Sequence, residues 1–236
     1  MIGGVKMLVD RVIAPYFETN CWILATGVGQ ECVIVDPGIA KPNLVKEIIE
    51  KVSEHNLRPV GILITHGHLD HIFSVLPLTK HTPMRTFITG DDRFLLTDPT
   101  GAIDKGGVSE QLISAFGGNN FNEPAEVVEV EDFSHFEIAG LDIGAIFAPG
   151  HTKGSVIYTV DNQQLISGDV LFAGSIGRTD LPTGSASQMR KTLRDRILTL
   201  PDDLNVLPGH GGQTTIAIER VRNPYLQDDF LNQNGR

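Results

Sequence analysis

From Val9 to Asp36, short apolar runs (VDRVIAP, NCWILAT, ECVIVD) alternate with turn residues. β-Branched and aromatic residues at this density predict antiparallel strands that open a sheet. The sequence DPG ends that stretch. Pro42 stands where a first helical residue belongs, and Leu44, Ile48, Ile49 and Val52 recur at helical spacing with Glu47 and Lys51 four apart on the outside. That pattern predicts a surface helix. PVGILIT is a nearly continuous apolar run, as expected of a strand covered on both faces, and a histidine cluster follows at its carboxyl end.

The second half repeats this grammar. EVVEVED, HFEIAGLDIGAIFAP, SVIYTVD and QQLISGD predict strands, and Met189, Leu193 and Ile197 share one face of a helix. LNVLP predicts a last strand before a final helix from about Thr214. Strands and then a helix, twice over, imply an α+β fold in which two half-domains stack with sheets inside and helices outside. The expectation is a four-layer αββα sandwich forming a single domain over residues 1–236, with no repeat visible as sequence identity. Between Asp98 and Glu123 a glycine- and asparagine-rich excursion carries one short helical pattern and is a candidate lid over residues 99–123.

Composition narrows the function. A chain of 236 residues with 41% hydrophobic content can bury one large core. A formal charge of −10 argues against a nucleic-acid partner or an anionic membrane surface, both of which need a basic field. A small-molecule partner is the expectation, and oligomeric state is left open. The opening MIGGVKMLVD reads as neither a signal nor an anchor, which points to a cytoplasmic enzyme. Cys21 and Cys32 lie in runs joined by a turn and could face each other across a hairpin, but two buried, reduced thiols are expected rather than a disulfide.

The chemistry concentrates in ILITHGHLDHI, residues 62–72. Successive side chains on an extended stretch point opposite ways, so His66 and His68 can converge on one point while a turn aims Asp70 and His71 at a neighbouring one. Neither site is complete, because catalytic divalent-metal sites usually combine three protein ligands with solvent. Three candidates supply the rest: His151 after IGAIFAPG, Asp169 after QLISG and His210 after LNVLPG, each placed where an apolar run ends in glycine. Any one of the three taken alone reads as a turn residue or cap; their shared placement favours ligands, with Asp169 a bridging carboxylate. His55, His81 and His135 read as bystanders, and Arg190, Lys191, Arg194 and Arg196 as a solvated helix face.

THGHLDH, PGHTKGS, SGDVLFAGSIGRTD and LPGHGGQTT together resemble the successive metal-binding motifs of the metallo-β-lactamase-fold hydrolases. Within them the chain is similar to the short glyoxalase II-like branch, which is related to hydroxyacylglutathione hydrolases. The resemblance implies a first metal held by His66, His68 and His151, a second held by Asp70, His71 and His210, and Asp169 between them. It also implies two divalent ions, zinc foremost with iron or manganese accepted, and a metal-bridging hydroxide that cleaves a hydroxyacyl thioester of a small thiol. Asp70 and Asp169 are the expected catalytic carboxylates. Asp36 is expected to orient a ligand histidine, Arg178 and Lys153 to meet substrate, and Asp180 to pair with Arg178.

An alternative reaction class is a persulfide dioxygenase-like enzyme with one iron, which shares His66, His68, His151, Asp169 and the GRTD stretch. Full-length hydroxyacylglutathione hydrolases add a helical carboxyl-terminal region that holds glutathione. Here little more than one helix follows His210, so the thiol carrier stays open.

Overall fold

The computed structural model describes residues 7–103 and 121–232, with Gln111 and Ile113 between them. Two six-stranded sheets form in chain order. The first contains β1 (Leu8–Ile13), β2 (Asn20–Ala25), β3 (Glu31–Val35), β4 (Arg58–Leu63), β5 (Arg85–Thr89) and β6 (Val127–Val130), lying side by side in that order. The second contains β7 (His135–Ile138), β8 (Leu141–Phe147), β9 (Val156–Val160), β10 (Gln164–Gly168), β11 (Asn205–Pro208) and β12 (Thr214–Thr215). β1 to β3 pair antiparallel, whereas β3 to β6 run parallel, as do β10 and β11.

Three separate cores define four layers. Along β2, Cys21, Ile23 and Ala25 face outward toward α1 (Val45–Glu54) and α3 (Val75–His81), while Trp22 and Leu24 face the other sheet. Because successive strand side chains alternate, a strand buried on both faces needs apolar residues at consecutive positions, which is why CWILA after Asn20 carries no alternation. Val33, Val35 and Leu63 meet Ile143, Tyr158 and Ile166 in the middle. Met189 and Leu193 of α5 (Ala186–Asp195) pack outside the second sheet with Leu165 and Val206. The expected αββα sandwich is therefore the observed architecture.

Several local expectations shift. α1 starts at Val45 rather than Pro42, with the Asn43 carboxamide accepting from the Val45 N–H at 3.1 Å and the Ser74 hydroxyl capping Leu44 N–H at 2.9 Å. Lys51 pairs with Glu54 and Asp10 instead of Glu47. Ile197 lies beyond α5 in a single 3-10 turn, and the final predicted helix, α6 (Ile216–Arg222), begins two residues after Thr214. Cys21 stands opposite Val12 and Cys32 opposite Ala25, so their thiols are on different rungs. Both are free and buried; burial, then the nearby Glu31, pushes Cys32 up to about 12, which makes it a poor nucleophile. Of the predicted solvated face of α5, Lys191 and Arg194 are exposed and Arg190 and Arg196 half-buried; Arg194 also donates to Leu231 O, Arg196 pairs with Asp132, and Arg190 lies over Phe230.

Most of the candidate lid lies outside the described residues. At its two ends and at Ile113 it is anchored, because Ile103, Ile113 and Phe121 pack with Ile39, Leu69 and Phe73.

Candidate metal centre

Parallel pairing places strand ends beside each other. β3 and β4 align Val35 with Leu63, and β10 and β11 align Gly168 with Pro208, so all four chains leave their sheets along one edge. Backbone and side-chain bonds then join the two sheets there. The Val156 N–H donates to Thr65 O at 2.9 Å, the Asn20 N–H to Gly209 O at 2.7 Å, and the Trp22 indole N–H to Pro208 O at 2.9 Å. Gly209 is a place where no side chain fits, since a Cβ would fall 2.2 Å from Asp169 Oδ1 and 2.8 Å from His71 Cε1.

β4 ends at Leu63 and the chain bends at Thr65, so His66 and His68 are alternate residues of the short stretch that leaves the strand end. His68 then starts the four-residue helix α2 (Leu69–Ile72), which swings Asp70 and His71 to a second position. His66 Nε2 lies 3.1 Å from His151 Nε2, and His68 Nδ1 lies 2.8 Å from the same atom. Beside this trio, His71 Nε2 is 3.3 Å from His210 Nε2, and Asp70 Oδ2 is 3.3 Å from that His210 nitrogen. Asp169 stands between the two groups, with one oxygen 3.5 Å from His151 Nε2 and 3.4 Å from His210 Nε2, and the other 3.5 Å from His71 Nε2. The structure thus brings His66, His68, Asp70, His71, His151, Asp169 and His210 together. Each trio draws ligands from both sheets.

Electrostatics separates the two trios. Burial, reinforced by the neighbouring rings, holds His66 well below its usual value, and burial with His151 brings His68 down to about 3. These rings are neutral and offer lone pairs. Burial also opposes charge on His71 and His210, but Asp169 and Asp70 outweigh it and raise the rings to about 9 and about 11. The same cations hold Asp169 at about 2 and Asp70 below the ordinary carboxylate range, in both cases against the effect of burial.

The donor set fits divalent ions. Three imidazole nitrogens crowded around one point cannot all be satisfied by one another, and Asp169 Oδ1 is a buried carboxylate oxygen without a hydrogen-bond partner. A cation among the inward-facing nitrogens and carboxylates relieves both conflicts. Histidine and aspartate suit zinc, iron and manganese alike.

The sequence profile of the metallo-beta-lactamase superfamily matches residues 14–210. The chain belongs to that superfamily. Similar proteins span nearly its whole length. An uncharacterized protein of Mycobacterium tuberculosis is 37% identical over 94% of this chain and 98% of its own. A protein of Haemophilus influenzae named hydroxyacylglutathione hydrolase GloC is 31% identical over 93% of this chain and 98% of its own. Among solved structures, the B3 metallo-beta-lactamase BLEG-1 has a TM-score of 0.80 at 30% identity, covering 93% of this chain and 99% of that one. The di-iron-bound form of TTHA1623 has a TM-score of 0.74 at 28% identity, covering 92% and 100%.

In this superfamily member the supporting residues sit as follows. Asp36, buried and in a left-handed backbone conformation at φ 46°, accepts the His71 Nδ1–H at 2.9 Å. It also accepts the Thr65 N–H at 2.9 Å and the Thr65 hydroxyl at 2.6 Å. That keeps the Nδ1 proton in place, so Nε2 is the atom that would give up its proton to a bound metal. Arg178 contributes through its backbone, its carbonyl accepting the His151 Nδ1–H at 2.7 Å, while its guanidinium makes a two-pronged exposed pair with Asp180. Lys153 is exposed and paired with Asp91 at 2.8 Å, so a substrate contact would first have to break that pair. The Phe17 carbonyl accepts the His210 Nδ1–H at 2.9 Å.

Sequence reading missed Asp92, Thr65 and Thr19. Thr19 donates to Asp70 at 3.2 Å, and Asp92 is wholly buried beneath the two histidine loops. A buried aspartate in GDDRF carries no signal in a single sequence, because its neighbour Asp91 is exposed and looks identical in type.

Proposed function

We propose that the protein is a thioester hydrolase of the glyoxalase II-like kind, acting on a hydroxyacyl thioester of a small thiol. The observation that carries this reading is the pair of adjacent ligand trios with Asp169 shared between them. The H. influenzae relative named hydroxyacylglutathione hydrolase supports the substrate class, and the di-iron form of the structural relative supports a two-metal site. Zinc is the first choice of ion, with iron and manganese open to the same ligands.

Divalent ions held here supply carbonyl polarisation and a water acidic enough to act as nucleophile near neutral pH. The chain's own groups set the stage for that chemistry. Asp36, the Arg178 carbonyl and the Phe17 carbonyl each take the outer ring proton of a ligand histidine, fixing the tautomer that aims a lone pair inward. Two dications against Asp70 and Asp169 leave a net positive site inside an acidic protein, which favours a substrate whose carbonyl oxygen gains negative charge. His210 and Asp70 are the most exposed ligands, so substrate approaches from their side. A thiolate is a good leaving group, so the site needs no separate acid to protonate it. Cytoplasmic location accompanies this reading, since a reducing compartment keeps thiol carriers available.

Elemental analysis of protein purified without added metal, combined with a panel of thioesters that vary the thiol, tests the proposal. Two metals per chain and anaerobic thioester hydrolysis are expected. One iron with persulfide-dependent oxygen uptake would replace it with the dioxygenase reading, and two metals without thioester turnover would reject the substrate class.

A further inference from the structure

Asp92 lies in the short helix α4 (Gly90–Arg93) after β5 and is buried completely. Its carboxylate collects three donors from two distant loops. Oδ2 accepts the Gly67 N–H at 2.8 Å and the Thr152 hydroxyl at 2.7 Å, and Oδ1 accepts the Gly154 N–H at 2.9 Å. Gly67 is the residue between His66 and His68, while Thr152 follows His151 directly. One side chain therefore sits within a residue of every histidine in the first trio. Its other direct partner, Gly154, is fixed from the opposite side as well, because the Thr89 hydroxyl donates to Gly154 O at 2.6 Å.

Packing makes this arrangement specific. A Cβ on Gly67 would fall 2.4 Å from Leu95 Cδ1, and one on Gly154 would fall 2.6 Å from Asp92 Cγ and from the Asp92 nitrogen, so both glycines permit the approach of backbone to α4. None of Asp92's bonds reaches Asp70, His71 or His210. Asp36 behaves differently: it touches His71 directly and reaches the His66 side through Thr65, whose hydroxyl lies 3.0 Å from His66 Nδ1.

We infer that Asp92 is a positioning residue dedicated to the metal held by His66, His68 and His151, setting that ion's affinity independently of its neighbour's. This rests on the two-metal reading above. Asparagine at position 92 must turn an amide N–H toward the N–H of either Gly67 or Gly154, so at least one loop loses its tether. Loss of a partner that orients metal ligands typically weakens binding about 10–100-fold.

The test is zinc binding to the full chain, by titration against a chromophoric chelator, with cobalt(II) absorption as a second readout. Variants His68→Ala and His71→Ala assign the two binding phases. For Asp92→Asn the expected result is about a 10–100-fold weaker first-trio phase and an unchanged second phase. Equal weakening of both phases, or no change in either, overturns the inference. Thr152→Val, which removes one of the three bonds and keeps both peptide tethers, covers the case in which Asp92→Asn does not fold. It should weaken the first-trio phase alone, and an effect on the second phase would equally defeat the assignment. If the unaltered protein binds no zinc or cobalt at all, the two-metal reading itself has failed, an outcome distinct from a failure of Asp92's role.

Discussion

Replacing Asp36 by asparagine sets tautomer control against simple packing, because the two side chains are nearly the same shape. The carboxylate accepts from the His71 ring and twice from Thr65. An asparagine with its oxygen toward His71 turns its amide hydrogens toward the Thr65 N–H, leaving a buried donor facing a donor at a cost of about 1–3 kcal/mol. With the amide toward His71 instead, the ring must accept at Nδ1 and carry its proton on Nε2, the atom that faces His210 and Asp169. That tautomer cannot coordinate, and a loss of about 10–100-fold in metal affinity follows, or about 1.4–2.7 kcal/mol. Either orientation therefore withdraws a similar amount, from stability in one case and from metal binding in the other. Calorimetric unfolding with and without zinc, together with zinc titration, measures both. An Asp36→Asn protein with unfolding free energy within 0.5 kcal/mol and zinc affinity within about twofold of the parent would refute the argument.

Asp169→Ala removes the carboxylate shared by both trios and should leave less than about a thousandth of the turnover together with a reduced metal count; full metal content with turnover intact, by elemental analysis and a thioester assay, would remove its bridging role. The metal-free protein should respond to pH through His71 and His210, held at about 9 and about 11 against about 6.5 when unfolded. Their stabilisation is complete below about pH 6.5 and is lost as pH rises through those two values, so the melting temperature in chelator should fall over that window. In saturating zinc the trend should weaken or reverse, because binding takes the deprotonated ring; parallel slopes in the two conditions would contradict the assignment. Tyr158→Phe deletes the 3.0 Å bond from its hydroxyl to Ile64 O and orphans a buried carbonyl. A loss of about 1–3 kcal/mol is expected, at roughly 2–4 °C per kcal/mol for a domain of this size, and an unchanged melting curve would show that the carbonyl finds another partner.

The fold was legible where burial is two-sided or periodic. β2, β3 and β4 read correctly because each is apolar at every position after its first residue, and α1 because Leu44, Ile48 and Val52 repeat at helical spacing. β5, RTFIT, escaped notice, being five residues long with only two apolar residues between polar ones, and its place is fixed by parallel neighbours on both sides. The candidate ligand histidines were visible, His66, His68 and His71 through their clustering and His151 and His210 through their position after strand-ending glycines. Asp92 and Thr65 were not, since what distinguishes them is the direction of three or four hydrogen bonds made across long sequence distances. The Cys21 and Cys32 misalignment has the same origin, because hairpin register depends on turn geometry that TGVGQ does not specify. Arg178 stood out through the GRTD stretch it belongs to, yet its backbone carbonyl is the group that touches His151.

Because each trio takes members from both halves of the sandwich, a bound ion is a rivet through the seam between them. With both trios loaded, pulling the sheets apart would mean surrendering two dications, and free metal at a thousand times its dissociation constant would add about 4 kcal/mol per site to the opening free energy. Starved of metal, such a protein should breathe along that seam first, exposing its middle layer to exchange and proteolysis while the outer helices stay packed.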